Sequence, residues 1–129
     1  MAEKKKSEPA RDMGPRILVV LDAGADGARA MELACLAGRE AHAVIHVAGA
    51  VVERAVQQAR LFHMRVVTED GAVASSTGAT LRLVRRLRPR TLVLAVPRPG
   101  SGWSAVRRQW ELWRLQRKAG CEVVVVRGA

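Results

Sequence analysis

The chain has 129 residues, the length of one domain and enough to bury a core without metals or disulfides. Hydrophobic residues make up 49% of it, which excludes a disordered chain, and no apolar run approaches the roughly 20 residues of a membrane-spanning helix. Two cysteines, Cys35 and Cys121, are too few for a disulfide scaffold and favour a reducing, intracellular setting. The net charge is +10, and the whole excess sits in residues 79–129, which carry twelve basic and two acidic side chains. That asymmetry points to a surface that meets anions: nucleotide phosphates, nucleic acid or an acidic partner. An arginine-rich solvated face accounts for the same numbers.

Residues 1–15 are polar and basic, with Lys4–Lys6, Pro9 and Gly14-Pro15, and are expected to form a disordered leader ahead of a folded domain at 16–129. No apolar signal core follows them, so the protein is expected to be cytoplasmic; its length and its start suggest that it stands alone. Ile17–Leu21 is a continuous apolar run, the pattern of a strand buried on both faces of a parallel sheet. Asp22–Gly27 is rich in turn residues, and Ala30, Leu33, Ala34 and Ala37 then recur at helical spacing, with Gly38 near the helix end. A second strand is predicted at Ala41–Val47. Val52, Ala55, Val56, Ala59 and Phe62 form a helical stripe, and a short strand follows at Arg65–Thr68. Glu69-Asp70-Gly71 reads as a turn.

Leu81, Val84 and Leu87 give the next helical face, with Arg82, Arg85, Arg86 and Arg88 largely opposite. Ser75 or Ser76 is the candidate cap, and Pro89 ends the helix. Thr91–Val96 is a fourth strand. Pro97–Gly102 is a loop, Ser104 a candidate N-cap, and Gly120 suits the position past the last helix. Trp103, Val106, Trp110 and Trp113 fall three or four apart, which predicts a stripe packed on the sheet rather than a platform for stacking bases. Cys121–Val126 is a fifth strand. Strands alternating with helices predict an α/β sandwich around a parallel sheet, with ligands outside the C-terminal strand ends at the switch point of strand order. That singles out Asp22–Gly27 and Pro97–Gly102.

The second of these loops, Arg98-Pro99-Gly100-Ser101-Gly102, combines glycines that let backbone N–H groups approach an anion with a helix N-terminus. Arg98, Arg107 and Arg108 can add counter-charge to phosphates. The segment matches neither GxxxxGK[ST] nor GxGxxG, and an ordinary strand-to-helix turn explains it equally. Asp22, at the rim of the same crevice, can accept from a ribose hydroxyl or a base amine, although capping the next helix is the default for an aspartate there. His42 and His46 are read as sharing one strand face too far apart for a metal, so a zinc site is not expected. No nucleophile elbow and no catalytic base or ligand set is visible, and no enzymatic activity is expected.

Three segments carry a resemblance to the universal stress protein family: Ile17–Asp22, Ala41–Val47 and the closing Cys121–Arg127. The order and spacing are similar to the version inside Kdp-type potassium-sensor histidine kinases, whose fourth strand also runs into a loop like Arg98-Pro99-Gly100-Ser101-Gly102-Trp103. The resemblance covers about residues 16–127. It implies a Rossmann-like five-stranded parallel sheet of order 3-2-1-4-5 with four helices, and ATP or another adenine nucleotide as ligand. The family's Gly-x2-Gly-x9-Gly-Ser/Thr survives only at Gly100: Pro97 replaces the first glycine and Trp110-Glu111 the last pair. The family aspartate is Asp22, and Val47 is the position whose backbone would meet adenine. The implied site is therefore Asp22, Val47, Arg98, Gly100 and Ser101, with nucleotide held weakly or not at all. Implied too are a homodimer through the fifth strand and a role in regulation. A ligand-free domain docking an acidic protein through its arginine-rich helices, and a nucleic-acid-binding basic domain, remain the alternatives.

Overall fold

A computed structural model describes residues 14–70, 76–98 and 100–128. Residues 1–13 of the expected leader, and Gly71, Ser75 and Pro99, lie outside them. Strands β1 (Arg16–Leu21), β2 (Val44–Gly49), β3 (Val66–Thr68), β4 (Thr91–Val96) and β5 (Glu122–Arg127) alternate with helices α1 (Gly27–Ala41), α2 (Val52–Leu61), α3 (Thr77–Leu87) and α4 (Trp103–Lys118). The strands form one parallel sheet of order β3-β2-β1-β4-β5, as the sequence predicts.

The continuous apolar runs are explained by this sheet. Ile17–Leu21 and Thr91–Val96 are buried without interruption because helices cover both faces. Alternate side chains divide between the two cores. Ile17, Val19, Leu21, Ile45, Val47 and Val93 meet Ala30, Met31, Ala34, Ala55 and Ala59 of α1 and α2. Leu18, Val20, Leu92, Leu94 and Val96 meet Leu81, Val84, Leu87, Leu112 and Leu115 of α3 and α4. Arg82, Arg85 and Arg86 of α3 face outward, as the periodicity predicts.

Three local readings are corrected. The buried stripe of α1 is Ala30, Met31, Ala34, Cys35 and Gly38, while Leu33 and Ala37 are exposed. Gly38 lies in the last turn of α1, as expected, and is buried there, where a Cβ would come within 2.9 Å of Ile45 and Met64. The helix stops at His42, which takes a left-handed φ of 54°, so β2 begins at Val44 and not at Ala41. His42 and His46 consequently share no strand face.

The tryptophans are the third and largest departure. Trp103, Trp110 and Trp113 are 81%, 54% and 50% exposed, and α4 packs through Leu112 and Leu115 instead. Both stripes satisfy helical spacing. Arg107, Arg114 and Arg117 lie within the tryptophan stripe, however, and burying it would have taken three guanidinium groups into the core. The leucine stripe carries only Arg108, which finds an acidic partner.

A polar cluster that runs from buried His46 to exposed Arg86 bridges the sheet and α3. His46 pairs through Nδ1 with Glu69 at 2.9 Å, and Arg86 donates to the other oxygen of Glu69 at 2.6 Å. Glu69, expected as a turn residue, is thus the hub of this cluster. Burial holds the His46 imidazole below its ordinary value near 6.5, against the opposing pull of the Glu69 hydrogen bond. A histidine kept neutral in the fold and free to protonate when unfolded makes stability rise with pH. The stability His46 contributes should therefore be complete above about pH 6.5 and decline as pH falls below it. Urea titrations across that window should show a slope that His46→Gln lacks.

At the C-terminal end of β2, Gly49 has φ 109°, and a Cβ there would stand 2.1 Å from the Leu21 carbonyl oxygen. Backbone cannot yield as a side chain does. Gly49→Ala should cost about 3 kcal/mol or more in denaturant unfolding, combining strained φ with a steric clash.

Candidate functional site

β1 sends its chain into α1 on one face of the sheet, and β4 sends its chain into α4 on the other. The two loops diverge and leave a crevice beyond the strand ends, where open α/β sheets bind ligands. Its floor is backbone: the Asp22 N–H donates to the Ala95 carbonyl at 2.9 Å, and the Gly128 N–H to that of Val96 at 2.9 Å. Gly128 lies tight against the β4 loop, since a Cβ there would come within 3.0 Å of the Arg98 nitrogen.

Asp22 is the centre of this crevice. It does not cap α1; that role belongs to Asp26, whose carboxylate accepts from the Arg29 N–H at 3.1 Å. This corrects the capping default and leaves Asp22 to face the crevice. One of its oxygens accepts from the Ala23 N–H at 2.9 Å, and the other is ion-paired with Arg108 from the second turn of α4. The pair spans the gap between the two loops.

Two pockets flank it. One, of about 240 Å³, opens between α1 and α2 and has a mainly apolar wall, including Leu21, Ala25, Ala28, Val51 and Ala55, with Asp22 at its edge. The other, of about 190 Å³, lies between the β4 loop and α4 and is cationic: Arg98, Arg108 and Arg127 line it beside Gly100, Ser104 and Gln109. Gln109 accepts from Arg127 at 3.2 Å, which holds that guanidinium at the pocket. Ser104 is not the N-cap of α4. Gly102 is, with φ 83°, so Ser104 stands in the first turn, facing the cationic pocket.

Among the residues singled out from the sequence, Asp22, Arg98 and Gly100 come together here. Ser101 is exposed and lines neither pocket. Val47 lines neither as well. β2 runs two residues beyond it, so Val47 is sealed in the sheet with its carbonyl taken by the Glu69 N–H at 2.8 Å. Trp110 and Glu111, which replace the family's last Gly-Ser, do not obstruct the crevice. Trp110 turns outward, and Glu111 accepts from the Thr77 hydroxyl at 2.6 Å, joining α4 to α3. Arg107 is exposed and lines neither pocket, whereas Arg127, which the sequence reading passed over, does line the cationic one.

Val51 was also missed. It begins α2 at the lip of the apolar pocket with a left-handed φ of 54°. A β-branched residue in that region is strained, and such strain gathers at functional sites. Only its position after Ala48-Gly49-Ala50 hinted at an irregular entry. Among the described residues no group of three metal-ligating side chains exists. None of the described helices is long and apolar enough to cross a membrane.

No family model matches the chain, and no curated protein does. Solved structures do. A universal stress protein in complex with cAMP superposes with a TM-score of 0.65 at 17% identity, covering 90% of this chain and 99% of that one. A universal stress protein from Archaeoglobus fulgidus gives 0.65 at 13% identity over 87% and 93% of the two chains. Another from that organism, in complex with dAMP, gives 0.63 at 11% identity over 88% and 97%. Element order, sheet order and overall superposition agree, and the chain has the fold of the universal stress proteins.

Proposed function

We propose that this chain is a non-enzymatic regulatory module that senses an adenine nucleotide or a nucleotide second messenger in the crevice around Asp22. The observation that carries this reading is the Asp22–Arg108 pair, which joins an apolar pocket to a cationic one. A nucleotide has the same two halves. The base would occupy the apolar side against Val51 and Ala55, and the phosphate would meet Arg98, Arg108 and Arg127. Gly100 offers a backbone approach with no Cβ, and the first turn of α4 adds its partial positive charge. An incoming phosphate competes with Asp22 for Arg108, and Asp22 then becomes free to accept from a ribose hydroxyl. That exchange couples binding to the placement of α4. The complexes of structural neighbours with cAMP and dAMP support an adenine ligand.

The non-enzymatic reading rests on the lining of the crevice. Its one carboxylate among the described residues is committed to Arg108, and neither pocket holds a histidine or cysteine. The loop from Arg98 to Trp103 supports placing the chain nearest the Kdp-sensor version of the fold. β5 is a sheet edge with half-buried Val123, Val124 and Val125, which supports a homodimer through paired β5 strands. Light scattering at micromolar concentration should give twice the chain mass; a monomer removes the dimer.

A panel of adenine nucleotides and cyclic dinucleotides at millimolar concentration tests the sensor. A ligand at about 100 times its Kd adds about 2.7 kcal/mol, a clear rise in Tm. Arg98→Ala and Arg108→Ala should each weaken binding by about 10- to 100-fold, the loss expected for a charged hydrogen bond. A panel that leaves Tm unchanged would overturn the sensor and favour docking of an acidic protein on the arginine-rich helices.

A further inference from the structure

The outward face of α4 is used neither by the core nor by the crevice. Trp103, Val106, Trp110 and Trp113 form one stripe along it, each at least half exposed. The helix has 16 residues, about 24 Å. Arg114 lies over the Trp110 ring at 5.2 Å and Arg117 over the Trp113 ring at 4.9 Å. Both pairs are four residues apart, and each guanidinium therefore travels with an indole. Arg107 and Lys118 are exposed alongside. The helix carries five basic side chains and one acid, Glu111, which is turned inward to Thr77. α3, in the same layer, adds exposed Arg82 and Arg85 and has no acidic residue.

We propose that this face docks the protein onto an anionic lipid surface, with the indoles at the depth of the headgroups and the arginines and Lys118 on their phosphates. Three properties select that occupant. The exposed charges of α3 and α4 are all of one sign, which complements an anionic surface and opposes a second copy of the same face. The aromatic stripe is a convex ridge directly opposite the Leu112–Leu115 stripe, suited to entering a soft, deformable surface. A single nucleic-acid strand is instead tracked by a basic groove with bases stacked along it. Tryptophan, amphipathic and rigid, is the residue of the membrane–water interface, and a helix with indoles beside basic side chains lies in that plane. Exposed apolar surface of this extent, rimmed by charge, marks an interaction site. The interaction is peripheral, and the residues that line the crevice take no part in it.

The chain offers its own probe. Its three tryptophans are all on this face, and it has no tyrosine, so tryptophan emission reports on the face alone. The full chain is titrated with vesicles of phosphatidylglycerol and phosphatidylcholine in equal parts, with phosphatidylcholine vesicles, and with single-stranded polyuridylate. The expected result is a blue shift and co-flotation with the anionic vesicles only, reversed by salt. Arg114→Gln and Arg117→Gln should each lower the partition coefficient about fivefold, the effect of one basic residue near such a surface. Trp110→Ala with Trp113→Ala should abolish flotation with unchanged circular dichroism. Absence of a shift with anionic vesicles overturns the proposal. So does a response to polyuridylate alone, or flotation that survives the tryptophan pair of substitutions.

Discussion

The backbone of β1 is hydrogen-bonded on both sides, to β2 from Arg16 to Leu21 and to β4 from Ile17 to Leu21. Helices cover both of its faces, so from Ile17 onward its side chains have no polar exit and are all apolar. That central position sets the connectivity. A right-handed crossover to β2 puts α1 on one side, and the later return through β4 to β5 puts α4 on the other. The crevice is the gap this divergence leaves. Its residues are functional candidates because they stand at that gap; as an isolated segment, the Pro97–Gly102 loop would remain an ordinary turn.

The crevice is closed by charge rather than by bulk. Asp22 and Arg108 come from elements 86 residues apart and meet across the mouth. The pair neutralises a carboxylate that would otherwise repel phosphate, and it leaves Arg98 and Arg127 to define the cationic side. Gly49 and Gly128 permit the surrounding backbone to approach closely, and Val51 accepts strain at the opposite lip. In the proposed exchange a phosphate would take the place of Asp22 beside Arg108, a side chain of α4.

α4 thereby has two faces with different duties. Leu112, Leu115 and Arg108 look toward the sheet and crevice; the tryptophans and the remaining cations look outward. The same layer holds α3, joined through Thr77 and Glu111, so the outward arginines of both helices form one surface. A rearrangement of Arg108 on ligand binding would be felt by that surface directly, because both sit on one rigid helix. The His46–Glu69–Arg86 cluster anchors α3 to the sheet from the other end of the layer.

The alternation of strands and helices, the burial of Ile17–Leu21 and Thr91–Val96, and the outward arginines of α3 were legible in the sequence, because periodicity and continuous apolar runs report burial locally. The switch-point loops were legible too, since they follow from topology alone. Val47 was misplaced in the crevice because strand ends depend on where the preceding helix stops, and His42 in a left-handed cap moved β2 along the chain. The tryptophan stripe was misjudged because helical spacing identifies two opposite stripes and cannot rank them. The ranking came from the energetic penalty of burying Arg107, Arg114 and Arg117, information that lay in the sequence but acts only once a core exists. The sequence by itself determined the parallel α/β sandwich and the position of its candidate site, since both rest on local patterning. The tertiary structure alone decided the partner of Asp22, the hub role of Glu69 and the direction of the tryptophans, because each depends on what distant segments bring alongside.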